Sequence, residues 1–574
     1  MKILRVVLVF LCAAFTASGE FKVRVEKNAA VPMRDGVVLK ADIYRPDVPG
    51  TFPVLLARTP YGKGFSDESS RAARGYIVIV QDVRGRGQSA GVFDPFFVDE
   101  KDGYDTVEWA AAVPGANGKV GMFGSSYGGW SQVAAAMASP PHLVEIFPVF
   151  ASVDFGSHQI LFEGGAFRQL LAESWSAAQT IEVYGKTVGA MAGNRDAFLV
   201  LMRQLPTGDF MEALHREAMK RGGGGYFREW VRHAPASEYW RRLDVSRRVA
   251  GIRVPGCYVG GWFDIFGPGT AALYAALTRE AGTELARTRS QWIQGPWTHY
   301  GPKAPVGDTD FGKAAQISFS AADRAWHDYW LKGESNQVPT LPNVRVFLTG
   351  ENRWLELAAW PPKETAPYQL RLASGHRLVT EAGAAGRDQI RANPMDPVPT
   401  LGGKLCCHAS FAAGTFDQRP LASRPDVLVY SSDALAEAIT VAGDGAVQLT
   451  VSTDTPDADV VAKLLDIAPD GKALTVADGV IRLRYRNSLE KAEPMKAGRA
   501  VRVRIKWGAI AHRFSAGHRV GVQFAGSDFP NYSVNLNSGE TLERGARPRV
   551  AGISIHYGSG ADSLVELQRL GGVR

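Results

Sequence analysis

Two serines in this chain sit inside the pattern Gly-x-Ser-x-Gly, so the pattern alone does not choose a nucleophile. Gly87-Gln88-Ser89-Ala90-Gly91 and Gly124-Ser125-Ser126-Tyr127-Gly128 match it equally well. A nucleophile elbow needs a strand running directly into a tight turn, glycines that permit close packing, and a helix starting at once behind the serine. The N-terminus of that helix then favours negative charge developing at the site. Ser126 meets all three demands. Lys119-Val120-Gly121-Met122-Phe123 reads as a short strand before it, Gly128-Gly129 follow, and residues 130–137 are strong helix formers. Ser89 fails, because Arg84-Gly85-Arg86-Gly87 separates it from its strand and Phe93-Asp94-Pro95 stands where a helix should run.

A serine hydroxyl is a poor nucleophile until a base takes its proton, and histidine is the usual base. In α/β-hydrolases the chain order is serine, acid, histidine. Eleven histidines are present, so order and setting must choose among them. His158, His215 and His233 lie in a helical stretch, and His376, His408, His512, His518 and His556 in a β-rich one. Gln291-Trp292-Ile293-Gln294-Gly295-Pro296-Trp297-Thr298-His299 puts His299 on the loop leaving a late strand. Gly260-Gly261-Trp262-Phe263-Asp264 puts Asp264 just after the strand before it. That is the carboxyl edge of a parallel sheet, where open α/β folds place their sites. Gly85-x-Gly87-x-x-x-Gly91 has the wrong spacing for a dinucleotide fingerprint and no helix behind it. Two arginines in 84–87 do not make a nucleic-acid stripe.

The elements around these residues read as an α/β domain. Residues 37–44, 53–58 and 75–80 are strand-like, the last a continuous apolar run suited to burial on both faces. A helix is expected over 101–112, a strand over 119–123 and a helix over 131–137. Strands alternating with helices imply a mostly parallel sheet covered on both faces. From about 155 to 246 the texture turns helical, with helices expected over 166–179, 196–204, 209–220 and 226–233. The βα texture then resumes over 254–260, 270–281 and 289–294. After about residue 340 short strands alternate with turns, as at 344–348, 427–430, 447–451 and 501–505, which argues for a β-sandwich of roughly 230 residues.

A chain of 574 residues has room for three or four domains. With 45% hydrophobic and 21% charged residues it lies in the globular range, which excludes wholesale disorder. The single long apolar run is N-terminal, which excludes a polytopic membrane protein. Lys2 and Arg5, the apolar stretch 6–15 and Ala17-Ser18-Gly19 read as a signal peptide over 1–19, so export to the periplasm or the outside is expected. No membrane anchor is then expected to remain. The net charge of +7 is modest for this length and points to solubility, with no nucleic-acid partner. Cys257, Cys406 and Cys407 survive cleavage. An exported protein could pair two of them, but adjacent cysteines rarely bridge each other. No Cys-x-x-Cys or His-x-x-x-His spacing appears, and no metal site is expected.

Together, Thr59-Pro60-Tyr61-Gly62-Lys63, Asp82-Val83-Arg84-Gly85-Arg86-Gly87-Gln88-Ser89, and the segments 124–128, 260–264 and 295–299 resemble the cocaine-esterase-like (CocE/NonD) branch of the X-Pro dipeptidyl-peptidase superfamily. Val31-Pro32-Met33-Arg34-Asp35-Gly36 is similar to that family's opening. Segments 462–466, 469–471, 482–486, 517–519 and 529–532 match its β region in order. The resemblance implies an α/β-hydrolase core (20–150 and 247–338), an inserted helical cap (151–246) and a C-terminal jelly-roll β-sandwich (339–574). It implies Ser126, Asp264 and His299 as the triad. No His-Gly-Gly-Gly motif exists here, and the resemblance gives the oxyanion hole to the Tyr61 hydroxyl and the backbone N–H of Tyr127. No cofactor is required.

The acyl group is less legible. Relatives acting on α-amino acyl substrates carry carboxylates close after the catalytic aspartate, whereas Asp264 is followed here by Ile265-Phe266-Gly267-Pro268. A buried ammonium without a counter-charge is costly, so an uncharged, aromatic acyl group is favoured. Trp130, Phe263, Phe266 and Trp297 are the pocket residues expected. Cap carboxylates such as Glu163 or Glu173 could instead serve an X-Pro dipeptidyl peptidase, which with a glutaryl-type acylase is the amide-cleaving alternative. A non-catalytic carbohydrate-binding protein is the reading from a different class. The partner expected is a small acyl ester or amide, and the oligomeric state is left open, a homodimer included.

Overall fold

The computed structural model describes residues 20–151, 160–184, 194–203, 225–540 and 547–571, with only the backbone over 180–184. The leader expected over 1–19, the helix expected over 209–220, and His158 and His215 lie outside the described residues. The N-terminal part is built on a ten-stranded sheet. Its strands are β1 (Val23–Pro32), β2 (Val38–Pro46), β3 (Phe52–Thr59), β4 (Ile77–Asp82), β5 (Ala116–Ser125), β6 (Leu143–Val149), β7 (Cys257–Gly261), β8 (Gln291–Gly295), β9 (Val344–Leu348) and β10 (Arg353–Leu357). The order is β1-β2-β4-β3-β5-β6-β7-β8-β9-β10. From β4 to β9 the neighbours are parallel, and antiparallel strands close both ends. All six residues of β4 are buried, as its unbroken apolar run requires.

This sheet corrects one boundary. Residues 344–348 do not open the sandwich but form β9, parallel to β8 with Trp292 opposite Val344, and β10 turns back along it. The core therefore runs to Leu357 rather than ending at 338. A five-residue apolar strand fits either sheet by pattern; the five fully buried residues of β8 need a neighbour on that side.

The inserted region is not purely helical. Ala166–Phe167 pair back on Phe162–Glu163 as a short hairpin, and α-helices follow at Gln169–Tyr184, Arg195–Met202 and Tyr226–Arg232. Beyond β10, eleven strands between Thr365 and Leu570 form the β-sandwich. Its long strand Ile439–Thr453 pairs along its length with Val501–Phe514. Val447, Leu449, Val451, Trp507, Phe514 and Phe524 lie in its apolar core. Among the described residues no helix is long and apolar enough to cross a membrane.

One buried charge cluster fastens the last helix of the core to the sheet. His327, at the end of the helix Phe319–His327, shares its ring nitrogens between Glu145 on β6 (2.7 Å) and Asp323 (3.0 Å). Burial works against its charge, but the two carboxylates outweigh it and raise the imidazole to about 9. The unfolded value is near 6.5, so this group's contribution to stability is full below that pH and is lost as pH rises through about 9. Urea midpoints measured from pH 6 to 9.5 should fall over that window, and fall less steeply in His327→Gln. Equal slopes in the two proteins would refute the charged His327.

Candidate active site

Ser126 stands between β5 and the helix Tyr127–Met137 with φ 60° and ψ −119°. A non-glycine residue adopts this conformation only where its surroundings fix it. Its N–H donates to the Val149 carbonyl at the end of β6 (2.9 Å). Its own carbonyl accepts from the N–H groups of Gly129 and Trp130, both at 2.9 Å, so the helix begins immediately. Gly124 supplies φ 136°, and a Cβ on Gly129 would lie 2.6 Å from the Val149 oxygen. Those glycines let the helix press against the strand ends, leaving the serine hydroxyl at the apex.

Asp264 and His299 arrive on the loops after β7 and β8. The Trp262 N–H donates to the Gly295 carbonyl (2.8 Å) and the Phe263 N–H to that of Trp297 (3.0 Å), so the two loops move as one piece. Asp264 is fully buried and its Oδ1 meets His299 Nδ1 at 2.8 Å. His299 Nε2 meets Ser126 Oγ at 2.9 Å. Phe150 and Phe266 flank the imidazole, with ring centroids at 5.3 and 5.2 Å. A proton can pass from Ser126 to His299 along this line while Asp264 selects the imidazole tautomer.

The Tyr61 residue is exposed as a whole, but its hydroxyl is enclosed. It accepts from the Trp175 indole (3.2 Å) and lies near the Ser126 side chain and the Tyr127 backbone N–H. Burial pushes this hydroxyl above the ordinary tyrosine value despite those polar neighbours, so it stays a neutral donor. The turn that carries the second Gly-x-Ser-x-Gly braces the Tyr61 loop. Asp82 accepts the Lys63 N–H (2.6 Å), and Arg86 donates to the Pro60 carbonyl (2.9 Å) and to that of Gln179 in the cap (3.0 Å). Ser89 itself is structural: it donates to the Asp82 carbonyl (2.6 Å) and accepts from the Lys40 N–H (2.8 Å). Below the elbow the Tyr127 hydroxyl donates to Asp99 (2.6 Å), and Asp99 pairs with the fully buried Arg58 (3.1 Å).

A pocket of roughly 500 Å³ opens at Ser126 and His299. Trp130 and Phe266 line it as expected. Phe263 and Trp297 do not. Phe263 stacks on Phe311, and Trp297 packs on Phe319 and Trp354 with its indole donating to the Ala315 carbonyl (2.7 Å). The backbone bonds that join their two loops turn these side chains into the packing beneath. Phe96, Phe150, Trp175 and Trp230 add to the aromatic wall, and among the described residues no carboxylate lines it. These four were not singled out in the sequence, since the folding of the cap over the core brings them together. Glu163 is occupied by Arg168, Lys404 and the Tyr532 hydroxyl (2.6 Å). Glu173 is buried beside Gln169 (2.9 Å), and burial raises it to about 7. Neither lines the pocket.

Sequence alone left the pairing of the cysteines open. Cys406 and Cys407 form a disulfide, with Cys407 in the left-handed region at φ 74°. The loop is held on both sides of the bond, by the buried Lys404 and by His408 packed against Phe198 (ring centroids 4.4 Å), which lets the unusual backbone persist. Cys257 is a free, buried thiol. Among the described residues no group of three or more His, Cys, Asp or Glu is placed to hold a metal ion.

Residues 35–301 match the X-Pro dipeptidyl-peptidase (S15 family) model, and residues 336–566 the X-Pro dipeptidyl-peptidase C-terminal non-catalytic domain. The chain is 33% identical to the cocaine esterase of Rhodococcus sp. (strain MB1 Bresler) over 549 residues, 91% of this chain and 94% of that one. An aminopeptidase structure from a marine sediment Thaumarchaeota archaeon superimposes with a TM-score of 0.80 at 25% identity, covering 96% of this chain and 97% of that one. An α-amino acid ester hydrolase structure superimposes at 0.78 and 24% identity, covering 98% and 100%, and shows the shared fold.

The tightness of the elbow is testable. In Gly129→Ala the new methyl must displace the Val149 carbonyl, which should cost about 1–3 kcal/mol of stability. It should also slow covalent labelling of Ser126 by a sulfonyl fluoride. Denaturant titration and labelling rates measure both, and wild-type values in each would show that the contact has slack.

Proposed function

This chain belongs to the cocaine-esterase-like branch of the X-Pro dipeptidyl-peptidase (S15) family of serine hydrolases, and we propose that it is exported and cleaves esters of uncharged, aromatic acyl groups. His299 takes the Ser126 proton, and Asp264 fixes the imidazole tautomer and stabilises the imidazolium. Ser126 attacks the carbonyl carbon, and the oxygen that gains charge is held by the Tyr61 hydroxyl and the Tyr127 backbone N–H. The alcohol leaves with the proton from His299. Water, activated by the same histidine, then releases the acid from the acyl-enzyme.

The observation that carries the substrate reading is the lining of the pocket. Among the described residues it is apolar and aromatic apart from Ser126, His299 and Tyr61, and none of the described lining residues is a carboxylate. An α-ammonium placed there would lose its hydration without a counter-charge, at a cost of several kcal/mol. A flat aromatic acyl group would exchange water for ring contacts with Phe96, Trp175 and Trp230. Hydrogen bonds of 2.8 and 2.9 Å along Asp264, His299 and Ser126 support the catalytic roles. Export rests on the leader read in residues 1–19. The likeness to an aminopeptidase favours amide cleavage as the second reading.

Rates on para-nitrophenyl benzoate and acetate, set beside Ala-Pro and Gly-Pro nitroanilides, separate the two. Ester turnover should exceed nitroanilide turnover by orders of magnitude, with benzoate preferred to acetate; the reverse order overturns the ester reading. Ser126→Ala should abolish turnover and labelling by a fluorophosphonate. Tyr61→Phe should lower kcat about 10²- to 10³-fold with the fold intact, and a change of only a few-fold would remove Tyr61 from the oxyanion hole.

A further inference from the structure

The pocket has a wall that comes from neither the core nor the cap. Among its described lining residues Cys407 alone belongs to the C-terminal sandwich region, and it shares the pocket with Ser126, Phe150 and His299. Cys407 is half-buried and its partner Cys406 is buried, so one end of the disulfide faces the pocket while the other is anchored in the packing behind it. The Cys407 N–H donates to the hydroxyl of Tyr300 (3.2 Å), the residue after His299. Two residues before the bond, Lys404 is pinned between Asp478 of the sandwich (3.0 Å) and Glu163 of the cap hairpin (3.4 Å). Leu405 and Phe411 pack with Leu170, Phe198 and Met202 of the cap.

A disulfide between neighbours closes a small ring that includes the peptide between them, which removes the backbone freedom a two-residue segment would otherwise keep. Two free thiols at this place would leave Cys407 able to quit its φ of 74° for an ordinary conformation. Its sulfur would then move relative to His299.

We propose that the Cys406–Cys407 disulfide is a specificity-determining wall of the acyl pocket: the ring fixes Cys407 against the histidine loop and gives a bulky aromatic acyl group a rigid surface to pack on. This rests on the acyl-ester reading of the pocket. A small acyl group, which does not reach the wall, gains less from it, so breaking the bond lowers selectivity for aromatic over small groups.

The test uses two serine reagents that need no ester turnover, phenylmethanesulfonyl fluoride and methanesulfonyl fluoride. Mass mapping first establishes the bond: the native peptide carrying both cysteines should be lighter by two hydrogens than the reduced one, and alkylation of both thiols in the native protein overturns the proposal. The ratio of inactivation rates, aromatic over methyl, is then measured for the folded wild type before and after phosphine reduction, and for Cys406→Ser/Cys407→Ser. Reduction of the folded protein keeps the test valid if the double variant does not fold. Burial pushes the remaining thiol, Cys257, up to about 12, which keeps it unreactive. The ratio should fall about tenfold or more when the bond is absent. With para-nitrophenyl benzoate the same change should raise KM more than it lowers kcat. A ratio that does not fall in verified reduced, folded protein overturns the wall. Failure to turn over either ester, with the sulfonyl ratio still responding, counts against the ester reading alone.

Discussion

A serine held at φ 60° and ψ −119° is the constraint around which the rest of this molecule is arranged. Such a backbone costs of order 1–3 kcal/mol and persists only where its neighbours leave no alternative. Here the neighbours are specific. Val149 takes the serine N–H, Gly129 allows the helix to lie against the same carbonyl, and the buried Arg58–Asp99–Tyr127 chain grips the residue immediately after the nucleophile. That grip has a chemical consequence, because Tyr127 offers its backbone N–H beside the Tyr61 hydroxyl. A buried side-chain network thus fixes the residue whose backbone N–H lies beside the Tyr61 hydroxyl.

The second donor is aimed by a different means. Tyr61 sits on a loop, and loops wander unless tied. Asp82 and Arg86 tie it from the neighbouring turn, and Arg86 also reaches the cap helix through the Gln179 carbonyl. The Gly-x-Ser-x-Gly at Ser89 therefore earns its glycines by packing: a Cβ on Gly87 would collide with the Asp82 carboxylate that holds Lys63. Two copies of one pattern serve two structural ends: one places Ser126 at a strand–helix turn, and the other braces the loop that carries Tyr61.

Ser126, Asp264 and His299, which the structure brings together, could be singled out because each depends on a short local pattern. Strand, turn, glycines and helix identify Ser126 within about 20 residues, and chain order with strand ends selects Asp264 and His299. The pocket depends on long-range packing and was legible only in part. Trp130 and Phe266 lie within a turn of reacting residues and do line it, whereas Phe263 and Trp297 lie just as near in sequence but belong to the underside of the paired loops. Trp175, Trp230 and Cys407 come from the cap and from the loop before the strand Val427–Ser431, and no local periodicity links them to residue 126. The misplaced β9 has the same origin, since an apolar strand does not encode which sheet it joins.

That division separates the strand ends from the surface around them. Ser126, Asp264 and His299 follow β5, β7 and β8, whose register is set by a sheet buried on both faces. The pocket is assembled where three parts of the chain meet, and buried ion pairs hold them together: Glu163 of the cap, Lys404 of the intervening loop and Asp478 of the sandwich form one chain. Removing either partner of such a pair strands a buried charge, so the assembly is firm even though its lining is apolar. A chain can therefore share its fold with an aminopeptidase structure and still have no carboxylate among the described residues that line its pocket.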